Sequence, residues 1–210
     1  MMSNDSPLSL ADVTISELRH RLKNLISIAQ ALVIQSLRGS EIFTEAAATI
    51  EKRLDAVASS VDLMLRTDWG PVDLRELAPL ALAQSASFTD RISIEGPKVD
   101  IAPDWVTMLI VALHELETNA LKYGALSNNH GSVRLSWAVS GRSNAQPVLD
   151  IEWCEIGGPP VAKPEHTGFG SRLATTLLQR HLRGRAELIF EERGLIWRVS
   201  APLADPSTFM

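Results

Sequence analysis

The hydrophobic period of this chain changes once, at Trp69-Gly70-Pro71, and that change divides it into two kinds of structure in series. Before the break, apolar residues recur at spacings of three and four. One set is Ile15, Leu18, Leu22, Leu25, Ala29 and Leu32; the next is Phe43, Ala47, Ile50, Leu54, Val57, Val61 and Leu65. Each set is one face of an amphipathic helix. Asp12 suits an N-cap for the first helix, which runs to about Leu37, and Gly39 suits the turn that ends it. Two helices of similar length joined by a few residues fold as an antiparallel hairpin. A lone hairpin leaves its apolar stripe uncovered, so a homodimer closing a four-helix bundle is expected.

Beyond the break the pattern mixes both periods. Val72 to Gln84 reads as a helix, Arg91–Glu95 and Val99–Ile101 as short strands, and Pro103 to Tyr123 as a long helix. Ser132–Val139 and Pro147–Cys154 read as strands, and Glu155 to Gly168 as a loop rich in Gly and Pro, with Pro160 to Thr167 a short lid. Phe169–Leu182 is a helix, and Arg185–Phe190 with Leu195–Ala201 a closing hairpin turned at Glu192-Arg193-Gly194. Helices on one side of a mostly antiparallel sheet make an α+β sandwich. The expected domains are residues 12–68, the helical hairpin, and 72–203, the sandwich.

Composition removes several function classes. Twenty Lys and Arg against 25 Asp and Glu give a net charge of −5, so no global field favours nucleic acid. No apolar run reaches the roughly 18 residues of a membrane span. The first ten residues lack the basic-then-apolar order of a signal peptide. A single cysteine, Cys154, excludes a disulfide framework and a multi-cysteine metal site. A soluble cytoplasmic protein is expected.

Four clusters carry chemistry. His20 lies two residues from both Leu18 and Leu22, so it points away from the apolar stripe, with Lys23, Asn24 and Ser27 on the same polar face. On the long helix, Glu115, Asn119 and Lys122 share a line roughly opposite Leu109, Leu113, Leu116 and Ala120. An amide oxygen and a carboxylate suit Mg²⁺, and an ammonium suits phosphate. Glu117 borders the apolar stripe and is expected to reach an edge or an arginine, because burying it unpaired is costly. Trp153-Cys154-Glu155-Ile156-Gly157-Gly158-Pro159-Pro160 ends a strand in an acceptor followed by two glycines, a place for a flat ligand with an exocyclic amine. Trp153, facing the same way as Leu149 and Ile151, equally reads as core packing. Gly168-Phe169-Gly170-Ser171 precedes a helix, where backbone N–H groups make an anion site. Taken singly, each cluster also fits a surface histidine, a solvated helix face, a turn or a flexible helix start.

Their order and combination resemble the HWE-type sensor histidine kinases, a two-component subfamily. Glu17-Leu18-Arg19-His20-Arg21-Leu22-Lys23-Asn24 looks like the phosphoacceptor box. His114-Glu115-Leu116 through Asn119-Ala120-Leu121-Lys122-Tyr123-Gly124 looks like the N box. Trp153 and Glu155 supply the W-x-E, and Gly168-Phe169-Gly170 resembles the glycine box. The resemblance covers residues 14 to 202. It implies a phosphotransfer hairpin followed by a GHKL-type ATP-binding sandwich. It also implies that His20 accepts the γ-phosphoryl group, that Asn119 binds Mg²⁺ and that Glu155 contacts the adenine amino group. Glu115 matches a position that serves as a base in related GHKL ATPases, and Lys122 joins it as an expected catalytic group. Tyr123, Gly157, Gly158, Gly168, Phe169, Gly170, His114 and Trp153 complete the expected nucleotide site.

The resemblance implies ATP and Mg²⁺ as cofactors and an aspartate on a response-regulator receiver domain as acceptor. With no sensory domain ahead of the hairpin, a separate sensor protein is an expected partner. A neutral imidazole needs no strong base to attack phosphorus, and Arg21 beside it favours that neutral form. Among the five histidines, only His20 is expected on a rigid, exposed element outside the ATP domain. His130 and His166 fall in loops, His181 ends a helix, and His114 shares the helix of the Mg²⁺ ligand. Three alternatives compete. A phosphotransfer protein or phosphatase on the same fold does not need the nucleotide site. A serine kinase for an anti-sigma partner, or another GHKL ATPase, does not need the hairpin. An interaction-only module needs neither.

Overall fold

The computed structural model describes residues 44–83, 90–141, 146–161 and 168–203. The chain divides into two compact units, residues 1–58 and 59–210. Of the first unit, only the start of helix α1 (Thr44–Arg66) is described. The first helix of the expected hairpin, with His20, lies outside the described residues, as do Gln84 and the lid from 162 to 167.

Helix α1 stops at the predicted break. Trp69 N–H donates to Met64 O at 2.8 Å, Gly70 N–H to Thr67 O at 2.8 Å, and the Thr67 hydroxyl to Met64 O at 3.1 Å. These bonds satisfy carbonyls that the helix end leaves open. Asp68 and Trp69 both take positive φ, 52° and 58°, to make the turn.

The helix expected from Val72 begins later. Val72 and Asp73 form strand β1, which pairs antiparallel with β3 (Asp100–Ile101), and helix α2 covers Leu74–Ala81. Asp73 is the reason. Its Oδ1 accepts Arg75 N–H at 3.0 Å, an N-cap bond that fixes the helix start one residue downstream, and its Oδ2 accepts the Arg75 guanidinium at 2.8 Å. The strand predicted at Val99–Ile101 therefore belongs to this two-stranded ribbon and not to the main sheet.

The main sheet has the order β2-β4-β5-β7-β6, from Ile92–Glu95, Ser132–Ser140, Val148–Ile156, Gly194–Pro202 and Arg185–Glu191. Four of these strands pair antiparallel; β2 pairs parallel to β4, so the sheet is mixed. Burial alternates along the strands. Val133, Leu135 and Trp137 of β4, Leu149, Ile151 and Trp153 of β5, and Trp197 and Val199 of β7 are buried. One face thus joins the core with Leu109, Leu113, Leu116 and Ala120 of helix α3 (Pro103–Lys122). Pro103 at the first turn of α3 costs no hydrogen bond there.

The predicted helix 169–182 forms with an irregularity. Helix α4 (Phe169–Arg172) leads into a π-helical turn, Leu173–Leu177, and then α5 (Leu178–Leu182). The turn shifts carbonyls out of the α register, and Ala174 O accepts the buried Trp197 indole N–H at 2.7 Å. π turns of this kind concentrate at functional sites.

Replacing the Asp73 cap should lower stability by about 1 kcal/mol, or roughly 2–4 °C in Tm for a domain of this size. Asp73→Asn, which can still cap, should retain most of that. Thermal melting followed by circular dichroism decides it; an unchanged Asp73→Ala melting curve would show that the cap contributes nothing.

Candidate functional site

Glu115 and Asn119 of helix α3, predicted on one line, turn to one side together with Tyr123 at its C-cap, and Leu116, which the spacing placed on the opposite stripe, joins them. These residues line a cavity of about 330 Å³ together with Gly124, Glu155, Val161, Gly168, Gly170, Ser171, Ala174, Leu188, Phe190 and Leu195. The volume falls within the small-ligand range of about 300–1,000 Å³. The walls are largely apolar, and the polar groups are few and converge. Glu115 is buried at 8% exposure, not solvated, because Gly170 packs directly on its carboxylate; a Cβ on Gly170 would stand 2.4 Å from Glu115 Oε2. Glu115 and Tyr123 are eight residues apart, roughly 12 Å along the helix at 1.5 Å per residue. The cavity therefore has a Glu115–Gly170 end and a Gly124–Glu155 end.

At the second end, Glu155 is 3% exposed. Its Oε2 accepts the Ala125 backbone N–H at 2.8 Å and its Oε1 accepts the Trp153 indole N–H at 3.2 Å. The alternation of β5 makes the second contact possible, since residues two apart project to the same face. Trp153 is fully buried, so its packing role and its bond to Glu155 coexist. Gly124 is obligatory, because a Cβ there would lie 2.0 Å from Glu155 Oε2. Burial pushes the Glu155 carboxyl above its ordinary value, and the bonds from Ala125 and Trp153 only partly offset this.

The remaining predicted residues separate. Gly157 and Gly158 do not line the cavity; they seat its wall. Gly157 has φ of 74°, its carbonyl accepts Asn128 Nδ2–H at 2.9 Å, and a Cβ on Gly158 would meet Ala125 Cα at 2.8 Å. Lys122 is exposed and is not among the lining residues, while Tyr123 lines the cavity yet is 69% exposed. Phe169 begins α4. His114 is buried away from the cavity lining, with Nδ1 3.8 Å from Glu117 Oε2. Glu117 itself is fully buried, not at an edge. His181 ends α5 as expected, its Nε2 hydrogen-bonded to Asp104 O at 2.5 Å. His20 lies outside the described residues.

Sequence reasoning missed Leu188, Phe190 and Leu195, which form the apolar side of the cavity. Their period-two pattern in β6 and the pairing Phe190↔Leu195 carry the only signal. It also missed Arg91, whose Nε and Nη2 donate to Gly131 O at 2.6 Å and Ala125 O at 2.9 Å. Among the described residues no group of three or more His, Cys, Asp or Glu side chains gathers to hold a metal. No described helix is long and apolar enough to cross a membrane.

The raised Glu155 carboxyl has a signed consequence for stability. The folded chain holds this proton more tightly than the unfolded chain, whose value is near 4.5. The contribution is therefore fully present below that value and is lost as pH rises through the raised folded value. Glu155→Gln removes the charge. The stability of this variant relative to the parent should increase as pH rises across that window, read by urea unfolding at several pH values. A pH-independent difference would contradict the assignment.

Residues 17–98 match the family model of the HWE histidine kinases. A blue-light-activated histidine kinase of Brucella anthropi is 36% identical over 188 residues, 89% of this chain and 38% of that protein. Its counterpart in Brucella ovis is 32% identical over 194 residues, 92% of this chain and 39% of that protein. The chain thus spans well under half the length of these relatives. In structure, the Erythrobacter litoralis EL346 blue-light activated histidine kinase superposes with a TM-score of 0.60 at 17% identity, covering 99% of this chain and 64% of that one. The histidine kinase domain of the same protein gives 0.55 at 18% identity, covering 93% of each chain. Those two likenesses establish a shared fold. With the family match over residues 17–98 and sequence relatives that continue across the sandwich, this chain is similar to the HWE histidine kinases over most of its length.

Proposed function

We propose that this chain is an ATP-dependent protein-histidine kinase that autophosphorylates His20 and passes the phosphoryl group to an aspartate of a response-regulator receiver domain. In this reading residues 12–68 are the phosphotransfer hairpin and 72–203 the ATP-binding domain. The observation that carries it is the pairing in one cavity of a buried carboxylate that accepts two hydrogen bonds, Glu155, with Asn119 midway along it and Glu115 at the other end. Glu155 is an acceptor sunk among apolar walls, which is what an adenine with its exocyclic amine requires. A phosphotransfer protein that does not use ATP gives no reason for such a cavity.

The residues present fit Mg²⁺ in one specific way. Asn119 supplies a single side-chain oxygen, and the ion would complete its shell with phosphate oxygens and water, the usual arrangement for this cation. When bound, the ion neutralises charge that builds on the phosphates. The chain's own groups do the rest. The Gly168–Ser171 segment, where Arg172 N–H bonds Gly168 O at 3.2 Å to start the helix, borders the phosphate end. His114 and Trp153 act from behind the cavity, and Lys122 and Tyr123 from its rim. The neutral His20 imidazole attacks the γ-phosphorus with its lone pair. The bond to the β,γ-bridging oxygen breaks, ADP leaves with that electron pair, and the other ring nitrogen releases its proton. Positioning and charge neutralisation dominate such a step. A receiver carboxylate then displaces the imidazole from phosphorus.

Incubation with γ-labelled ATP tests the reading. The parent should take up label that is lost in acid and survives base. His20→Gln should take up none while its ATP affinity stays within about threefold, roughly 0.7 kcal/mol. Labelling of His20→Gln, or an acid-stable label on the parent, would overturn the assignment.

The hairpin stripes at 15–32 and 43–65 supply the apolar surface for a dimer, worth roughly 25 cal/mol per Å² removed from water. Light scattering should therefore find the full chain dimeric and residues 70–210 monomeric and folded. A truncated chain that stays dimeric would place the contact elsewhere.

A further inference from the structure

Arg91 stands just before β2, outside every motif that the family resemblance rests on. Its guanidinium is used as a fork. Nε reaches Gly131 O at 2.6 Å and Nη2 reaches Ala125 O at 2.9 Å. These two carbonyls stand near the two ends of the segment from Gly124 to Gly131, and a Cβ on Gly131 would lie 2.1 Å from Ala125 O. The segment is closed on itself, and Arg91 bridges its ends.

On its other side Ala125 meets Glu155, which lines the cavity. The Ala125 N–H is the donor to Glu155 Oε2 at 2.8 Å. The two peptide planes that meet at Ala125 Cα are thus each held, one by Glu155 and one by Arg91. Asn128 secures the middle of the segment. Its Oδ1 accepts the N–H groups of His130 at 2.9 Å and Gly131 at 2.8 Å, and its Nδ2–H donates to Gly157 O. Without Arg91 the ends of the segment lose a charge-assisted bridge, and the Ala125 N–H loses its fixed aim.

We propose that Arg91 is a positioning residue for adenine recognition, holding the Gly124–Gly131 segment so that the Ala125 N–H fixes the orientation of the Glu155 carboxylate. This rests on the reading of the cavity as an adenine-nucleotide site. Arg91 works through geometry: the influences on the Glu155 carboxyl are its burial and its bonds to Ala125 and Trp153. A lysine keeps the charge, but a single ammonium does not reproduce a planar fork spanning two carbonyls.

Calorimetric titration of the full chain with ADP, inosine diphosphate and pyrophosphate, each with Mg²⁺, tests the proposal. Inosine diphosphate keeps the ribose and phosphates and replaces the amino group with a carbonyl, which would face the carboxylate. The parent comes first. If it does not prefer ADP to inosine diphosphate, the adenine reading itself is wrong, whatever Arg91 does. Given that preference, Arg91→Ala and Arg91→Lys should weaken ADP at least tenfold, about 1.4 kcal/mol. The ADP-to-inosine ratio should fall toward one, with pyrophosphate affinity unchanged. Millimolar ethylguanidinium should restore the ratio in Arg91→Ala. Folded variants that keep the parent ratio overturn the proposal. So does an equal loss of all three ligands, which marks a general structural role. Failure of both variants to fold, read by circular dichroism, would make Arg91 a folding determinant and overturn it as well.

Discussion

Glu155 carries a carboxylate into a place where water cannot solvate it, at 3% exposure. Leaving a buried acceptor unsatisfied costs roughly 1–3 kcal/mol, and more for a charged one. Both oxygens must therefore find donors inside the fold, and much of the second unit follows from that requirement. One donor is a backbone N–H, so the segment after α3 has to approach β5 closely. That approach is possible only because residue 124 is glycine. On the other side, a Cβ on Gly194 would lie 2.0 Å from the Glu155 carbonyl, so the first residue of β7 is glycine for the same reason. The neighbours of Glu155 yield space because the carboxylate and its backbone fill it.

Three of the buried tryptophans show the same logic applied to indole. Each brings a large apolar body into the core together with one N–H that needs an acceptor. Trp137 donates to Pro97 O at 2.8 Å, Trp197 to Ala174 O at 2.7 Å and Trp153 to Glu155 Oε1 at 3.2 Å. The three acceptors lie in three different kinds of structure: an irregular connection, a π turn and a strand side chain. Trp197 thereby ties the sheet to the helix bordering the cavity. Trp153 and Trp197 are also register partners, with Leu135 and Leu188 on either side in the same row. The floor behind the site is thus a packed row of large side chains.

How much of this was legible in the sequence depends on the range of the interaction. Helix α3 and strands β4 to β7 appear in the local period, and their ends moved by only a residue or two. The Gly168–Gly170 and Glu155 positions were visible because short motifs hold them. The β1–β3 ribbon was not, since two-residue strands carry no period and the pairing Val72↔Ile101 joins distant residues. The choice of helix start did have a local signal, Asp73, which competed with an apolar Val72 on the helical stripe. Arg91 was invisible because its partners are backbone carbonyls 34 and 40 residues away, and carbonyls have no sequence identity. The burial of Glu115 had no local signal either: helical spacing placed it on one line with Asn119, but only the fold brings Gly170 against its carboxylate.

The tryptophan and glutamate of β5 illustrate why a motif has the spacing it has. In a strand, residues i and i+2 share a face, while i+1 turns to the other. Trp153 and Glu155 therefore both face the core, and the intervening Cys154 does not; it is part-exposed on the opposite side. At a spacing of one, the indole N–H and the carboxylate would lie on opposite faces of the sheet. At a spacing of four they would share a face but sit roughly 13 Å apart along the strand, beyond the reach of one hydrogen bond. Only a separation of two lets a tryptophan fill the core and still orient the acid beside it. A glutamate at 155 suits this arrangement, because its extra methylene lets the carboxylate fold back to the indole while its other oxygen meets the Ala125 N–H. The two residues are a single device, and the separation between them follows from the geometry of the strand that carries them.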